Sequence, residues 1–183
     1  MTFLLILLGT VVLIGVLLVF QYNSLIKLRN RIEGAWAQID VQLKRRYDLI
    51  PNLVETVKGY AAHEKETLDA VIRARNAAGA ASGPADQAQA ENMVTSALRQ
   101  VFALSEAYPD LKANQGFVQL QEEIAGTEGR ISYARQFYND SVLRYNTKIQ
   151  TFPTVIIANA MQFREREYFE ADDASRGPVQ VQF

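Results

Sequence analysis

The sequence predicts an all-α protein. A transmembrane helix runs without a joint into the first helix of an up-and-down four-helix bundle, followed by a short apolar C-terminal segment and a loose tail. Three observations lead there. Residues 3–20 form an apolar run without a charge. Apolar residues then recur at Leu25, Leu28, Ile32, Trp36, Ile39, Leu43 and Ile50, mostly in steps of three and four, with no proline before Pro51. Further on, Phe117, Ile124, Ile131, Tyr138, Tyr145 and Phe152 fall seven apart, a seam of bulky residues with coiled-coil spacing.

The anchor, residues 1–21, comes first. Its 18 uncharged residues rise roughly 27 Å as a helix, enough for a hydrocarbon core. A cleaved signal peptide is the rival reading, but no basic n-region or small-x-small cleavage site accompanies the run. Lys27, Arg29 and Arg31 follow the span, so the positive-inside rule places the remainder of the chain in the cytoplasm, with a periplasmic or extracellular placement as the alternative.

The bundle is expected over residues 22–152, with helices at about 22–48, 51–77, 85–108 and 111–151. Pro51 lacks an N–H and clashes with the preceding turn, so Asp48 is read as the cap of a new helix, with a kink as the alternative. Leu53, Val57, Tyr60, Ala61, Leu68 and Val71 face inward on the second helix. The 79–84 stretch of Gly, Ala, Ser and Pro ends it. Met93, Ala97, Val101 and Leu104 form the third stripe, and Pro109 breaks that helix. Residues 153–163 are an apolar run too short to span a bilayer, and 164–183 is a charged tail ending in Val181, Gln182 and Phe183, a carboxylate ending able to add to a sheet groove.

Composition narrows the function. The net charge is −1, which gives no reason to expect nucleic acid as a partner, and the absence of cysteine removes disulfides and thiolate chemistry. His63 is the one histidine and has no second ligand one turn away, so it reads as a solvated side chain. Glu122 and Glu123 are adjacent and diverge on a helix. No catalytic residue, cofactor, metal site or small-molecule substrate is predicted.

Several stretches resemble the LemA family: 22–60 (YNSLIKLRNRIEGAWAQIDVQLKRRYDLIPNLVETVKGY), 64–76 (EKETLDAVIRARN), 130–146 with ARQFYND and RYN, and the Phe152-Pro153 pair with Tyr168, Phe169 and Glu170. The resemblance covers nearly the whole chain. It implies a single-pass protein of the bacterial plasma (inner) membrane with a four-helix bundle and no established enzymatic activity. Some members are encoded near membrane metallopeptidases.

The candidate contacts are therefore non-catalytic. Lys27, Arg29 and Arg31 lie roughly 10–17 Å beyond Phe20, within snorkelling reach of anionic headgroups. Lys44, Arg45 and Arg46 are read as a solvated basic face, with a partner patch as the alternative. Phe117, Ile124, Gly126, Gly129, Ile131, Tyr138, Tyr145 and Phe152 are candidates for a subunit or partner contact. Gly126 and Gly129, costly inside a helix, call for close approach of another helix, within the chain or across subunits. Val155, Ile156 and Ile157 either plug the bundle end or touch the membrane interface. The expected function is a non-enzymatic, self-associating scaffold for membrane partners, with the lipid bilayer and a homo-oligomer as the expected associations. The alternative is an adaptor or regulator of a membrane enzyme or transporter such as a metallopeptidase.

Overall fold

The structure, a computed structural model, describes residues 1–170. Among them there are six helices and no strand: α1 (Thr2–Lys58), α2 (Lys65–Ala80), α3 (Pro84–Ala107), α4 (Pro109–Lys112), α5 (Gln115–Gln150) and α6 (Thr154–Ala160). Two compact units share the long helices. Unit 1 comprises residues 1–37 and 136–167, and unit 2 comprises 38–135 and, of the described residues, 168–170.

Unit 2 corrects the largest sequence expectation. No reversal occurs at residues 48–51; α1 carries Pro51 in its interior and ends seven residues later, at Lys58. Proline inside a helix removes one hydrogen bond, the one to the carbonyl four residues back, here that of Tyr47. That carbonyl has another donor: Arg75 Nε on α2 reaches Tyr47 O at 2.9 Å. The helix passes the proline because a neighbouring guanidinium replaces the missing N–H. Burial favours the same outcome. Ile39, Leu43, Arg46, Ile50, Leu53 and Val57 are all buried, a stripe stepping by four and three that keeps its phase across Pro51.

The chain turns instead at residues 59–64. Tyr60 N and Ala61 N both donate to Val57 O, at 3.0 and 2.8 Å, closing the end of α1. Side chains pin this turn from elsewhere in the unit, since Asn114 Nδ2 donates to Tyr60 Oη and Tyr108 Oη donates to Glu64 Oε1, each at 2.9 Å. Tyr60, expected inside, is exposed in this role, and exposed His63 lies in the turn rather than on a helix face. Gly83 then adopts φ 90, a conformation side-chain-bearing residues avoid, and Pro84 opens α3 at a position where no N–H is needed. Asn114 caps α5 by accepting from Phe117 N at 2.9 Å.

One core joins these pieces. It takes Ile50, Leu53 and Val57 from α1, Leu68 and Val71 from α2, Val94, Leu98 and Val101 from α3, Leu111 from α4, and Phe117 and Ile124 from α5. Each such side chain, fully buried, contributes roughly 1.5–3 kcal/mol. The third helix differs in detail from expectation. Its buried stripe is Gln87, Glu91, Val94, Leu98, Val101 and Ser105, whereas Met93 is 54% exposed.

Unit 1 holds the apolar end of α1, whose residues 3–20 are exposed, and the second half of α5. Leu25, Ile32 and Ala35 of α1 are buried, as are Tyr138, Val142, Tyr145 and Ile149 of α5, and Trp36 meets Tyr138 edge to face at 5.5 Å. The segment after α6 is held rather than loose as far as it is described. Asn146 uses its amide twice on the Arg166 backbone, accepting from its N and donating to its O at 2.9 Å each, and Tyr138 Oη donates to Glu167 O at 3.0 Å. In unit 2, Phe169 is buried under the Arg135 guanidinium, 4.7 Å from the ring centre. The expectations for residues 171–183, the terminal Val181 and Phe183 included, lie outside the described residues.

The Arg75–Tyr47 contact makes a mutational prediction. Arg75→Ala should lower unfolding free energy of the full chain in detergent by about 1–3 kcal/mol, because it leaves a carbonyl unpaired. Exposed Arg73→Ala should be nearly neutral. In a Pro51→Ala background residue 51 regains its N–H, so the cost of Arg75→Ala should shrink. A full, undiminished cost in that background, measured by chemical denaturation, would show that Arg75 acts by other means.

Candidate functional site

Unit 2 holds a polar centre around Arg46, a residue that sequence reasoning placed on a solvated face. Arg46, expected on a basic face with Lys44 and Arg45, is 1% exposed, while its two neighbours are exposed. It belongs to the buried stripe of α1 because it lies seven residues after Ile39 and seven before Leu53. Its guanidinium donates through one terminal nitrogen to Glu91 of α3 and through the other to Glu128 of α5. Glu91 also accepts from Tyr47 Oη and, at 2.7 Å, from Gln87 Nε2. Thr95 Oγ1 donates to Glu128 Oε1 at 3.3 Å. The network therefore ties α1, α3 and α5 together through hydrogen bonds to one buried guanidinium, which a misregistered helix leaves short of acceptors.

Burial dominates the electrostatics. Desolvation pushes the Glu91 carboxyl up to about 8, Glu128 adds to this by repulsion, and Arg135 opposes it. Desolvation also lowers Arg46 and Arg135, with Glu128 opposing in both. These groups face one another; Arg46 Nε is buried without a hydrogen-bond partner, and the Glu128 side chain reaches the surface. Among the described residues no group of three or more His, Cys, Asp or Glu is placed to hold a metal ion.

The expected contact residues divide into two sets. Phe117, Ile124, Ile131, Tyr138 and Tyr145 are buried in the chain's own fold. Phe152 is exposed, and so are Gly126 and Gly129, where an added Cβ would meet nothing within 4 Å. Close approach within the chain is therefore not what these glycines serve. They lie on an exposed stripe of α5 formed by Val118, Glu122, Gly126, Gly129 and Tyr133, in steps of four and three. Next to it is an open recess of about 480 Å³ lined by Arg45, Gln119, Glu122, Glu123, Gly126 and Arg130, within which Arg45 and Glu123 pair at 3.6 Å.

In unit 1 the three basic residues after the apolar segment are used differently. Lys27 is exposed, Arg29 lies 3.8 Å from Glu33, and Arg31 stacks over Phe137 at 4.9 Å. Helix α6 and the nearby Phe163 meet α1 just before these three residues. Thr154 Oγ1 donates to Gln21 Oε1 at 3.1 Å, and Phe163 meets Tyr22 edge to face at 6.0 Å. Of the three α6 residues expected at an interface, Ile157 is buried, Val155 is half-buried and Ile156 is exposed.

The raised Glu91 carboxyl sets a sign for stability against pH. The folded state holds this proton up to about 8, whereas an unfolded glutamate releases it near 4.5. Between those values the folded state binds more protons, so stability falls as pH rises, with a slope of order 1 kcal/mol per pH unit. The contribution is complete below the lower value and is gone above the upper one. Thermal melts of the full chain across this window should show the decline, and Glu91→Gln should flatten it. An unchanged slope in Glu91→Gln would assign the effect to other groups.

Comparison with known proteins gives the chain its family. A model described as the LemA family matches residues 35–183. Protein LemA of Metamycoplasma hominis is 29% identical over 161 residues, covering 86% of this chain and 72% of the relative. Magnetosome protein MamQ 2 of Paramagnetospirillum magneticum and Magnetosome protein MamQ of Magnetospirillum gryphiswaldense are each 22% identical over 188 residues, covering 88% of this chain and 69% of theirs. With the family pattern extending over most of its length, the chain belongs to the LemA family.

Proposed function

We propose that the chain is a non-enzymatic, membrane-anchored helical protein that self-associates through α5 and scaffolds membrane partners. Its unit 2 works as a four-helix bundle built from α1, α2, α3 and α5. Support for the bundle comes from the single core shared by those helices and from the Arg46 network that joins three of them. The anchor reading rests on α1, which among the described residues is the one helix long and apolar enough to cross a membrane, and its apolar run is wholly exposed. Lys27, Arg29 and Arg31 beyond the apolar run favour a cytoplasmic placement of the helices C-terminal to it.

The observation that carries self-association is the pair Gly126 and Gly129. Each costs about 1 kcal/mol relative to alanine inside a helix, and neither makes room for anything in its own chain. A second helix approaching along the Val118–Tyr133 stripe accounts for both, since glycine lets two backbones come close. A second copy is the simplest occupant, because every copy in one membrane presents the same stripe.

The chain has no native cysteine, so a single introduced one reports cleanly. Tyr133→Cys, at the end of the same stripe, should cross-link to a dimer in native membranes, and Gln89→Cys on exposed α3 should not. Monomer alone from both variants would contradict self-association through α5. Gly129→Ala should act in two directions, raising the stability of the isolated chain by up to about 1 kcal/mol while reducing the dimer fraction.

A further inference from the structure

The C-terminal side of unit 1 combines three features that neither the anchor nor the bundle requires. The first is exposed apolar surface. Phe152, Ile156 and Met161, on and around α6, are 81%, 60% and 56% exposed, while Thr154, Ile157 and Ala158 form the buried face of the helix. The second is position. The Thr154–Gln21 hydrogen bond and the Phe163–Tyr22 ring contact hold α6 against the first two residues after the apolar run of α1. A bilayer that covers residues 3–20 must have its headgroup layer at this level. The third is charge. Residues 21–37 and 136–167 carry seven Lys and Arg against four Asp and Glu. An open recess of about 370 Å³ there is lined by Arg29, Tyr145, Phe163, Arg164, Glu165 and Arg166, together with Gln162. Arg29 Nε is buried without a hydrogen-bond acceptor, the nearest carboxylate oxygen, of Glu33, being 3.8 Å away.

We infer that this end of unit 1 is a second membrane contact: Ile156 and its apolar neighbours enter the leaflet from which α1 emerges, and the Arg29–Arg164 recess takes the phosphate of an anionic phospholipid headgroup. Apolar side chains beside arginines suit the headgroup–acyl boundary, where the former reach hydrocarbon and the latter reach phosphate. The guanidinium forks of Arg29 and Arg164 match phosphate oxygens, and with Arg166 they set three cations against Glu165 in the lining and Glu33 beside it, 3.8 Å from Arg29 and 3.9 Å from Arg166. Gln21 and Thr154 then serve as the clamp that keeps α6 at the depth of the boundary. The inference rests on the anchor reading of α1, and the test separates the two.

Full-length chain carrying Ile156→Cys, labelled with an environment-sensitive fluorophore, is reconstituted in vesicles of phosphatidylcholine or of an equal mixture with phosphatidylglycerol. Met93→Cys, on the exposed side of α3, is the control, and Phe152→Cys is a second probe. Acyl-chain spin-labelled lipid should quench Ile156 and Phe152 but not Met93. In the mixed vesicles, spin-labelled phosphatidylglycerol should quench more strongly than spin-labelled phosphatidylcholine, and Arg29→Gln with Arg164→Gln should bring the two to parity. Water-like emission at both probes, in protein that still resists an alkaline wash, overturns the second contact and leaves the anchor standing. Loss of the protein in the wash overturns both. Equal quenching by the two lipids before mutation, or abolition of the difference by inorganic phosphate, overturns the headgroup assignment.

Discussion

A proline inside a helix leaves one carbonyl without its N–H. In this chain that carbonyl, on Tyr47, is met by Arg75 of α2. The rest of unit 2 depends on this exchange. Because α1 continues to Lys58, its stripe of Ile50, Leu53 and Val57 enters the core as one ridge rather than two. The reversal is displaced to residues 59–64, where Tyr60 and Glu64 take side-chain hydrogen bonds from Asn114 and Tyr108. A local backbone deficit is thus made good by a tertiary contact, and that contact also draws α2 onto α1.

The Arg46 centre adds selectivity of a different kind. Apolar packing alone tolerates a helix sliding by a turn, because one aliphatic side chain replaces another at modest cost. An arginine shared by Glu91 and Glu128 does not, since moving either helix takes an acceptor from a guanidinium that is 1% exposed. Partner removal is accordingly far more damaging than the net value of the pair. Gln87, Tyr47 and Thr95 supply neutral hydrogen bonds that complete the acids' coordination. The arrangement reads as a device for fixing register between α1, α3 and α5.

Much of this was legible in the residues, and the misses have definite causes. The seven-residue seam of α5 picked out Phe117, Ile124, Ile131, Tyr138 and Tyr145, all buried in the chain's own fold, whereas its sixth member, Phe152, is exposed. The seam works because large aromatic and branched side chains have few other places to go. The α1 stripe was read correctly from Leu25 to Leu43 and again at Ile50, Leu53 and Val57, but Arg46 between them was missed, since that member is a cation. Arg46 lies in phase with Leu43 and Ile50, but a basic triplet suggests a solvated face when its acidic partners are 45 and 82 residues away. Glu91 and Gln87 hid in the same manner on the stripe of Val94 and Leu98, and exposed Met93 took their place. Pro51 misled through a rule that holds for an isolated helix. The unbroken phase of Ile50, Leu53 and Val57 was the sign that it did not hold here, and the donor that overrides it lies on another helix. The Asn146 clamp on Arg166 had no periodic signal at all.

The continuity of α1 through Pro51 is the claim on which this account turns, and a distance measures it directly. Spin labels at Asp40 and Lys58, both exposed and both in unit 2, are 18 residues apart on one helix. At 1.5 Å per residue, pulsed electron resonance on the full chain in lipid should give a narrow distribution centred near ~27 Å, before allowance for the label arms. A helical reversal at Pro51 would fold the two positions back beside each other. A dominant distance of about 12 Å would then be found, contradicting the account.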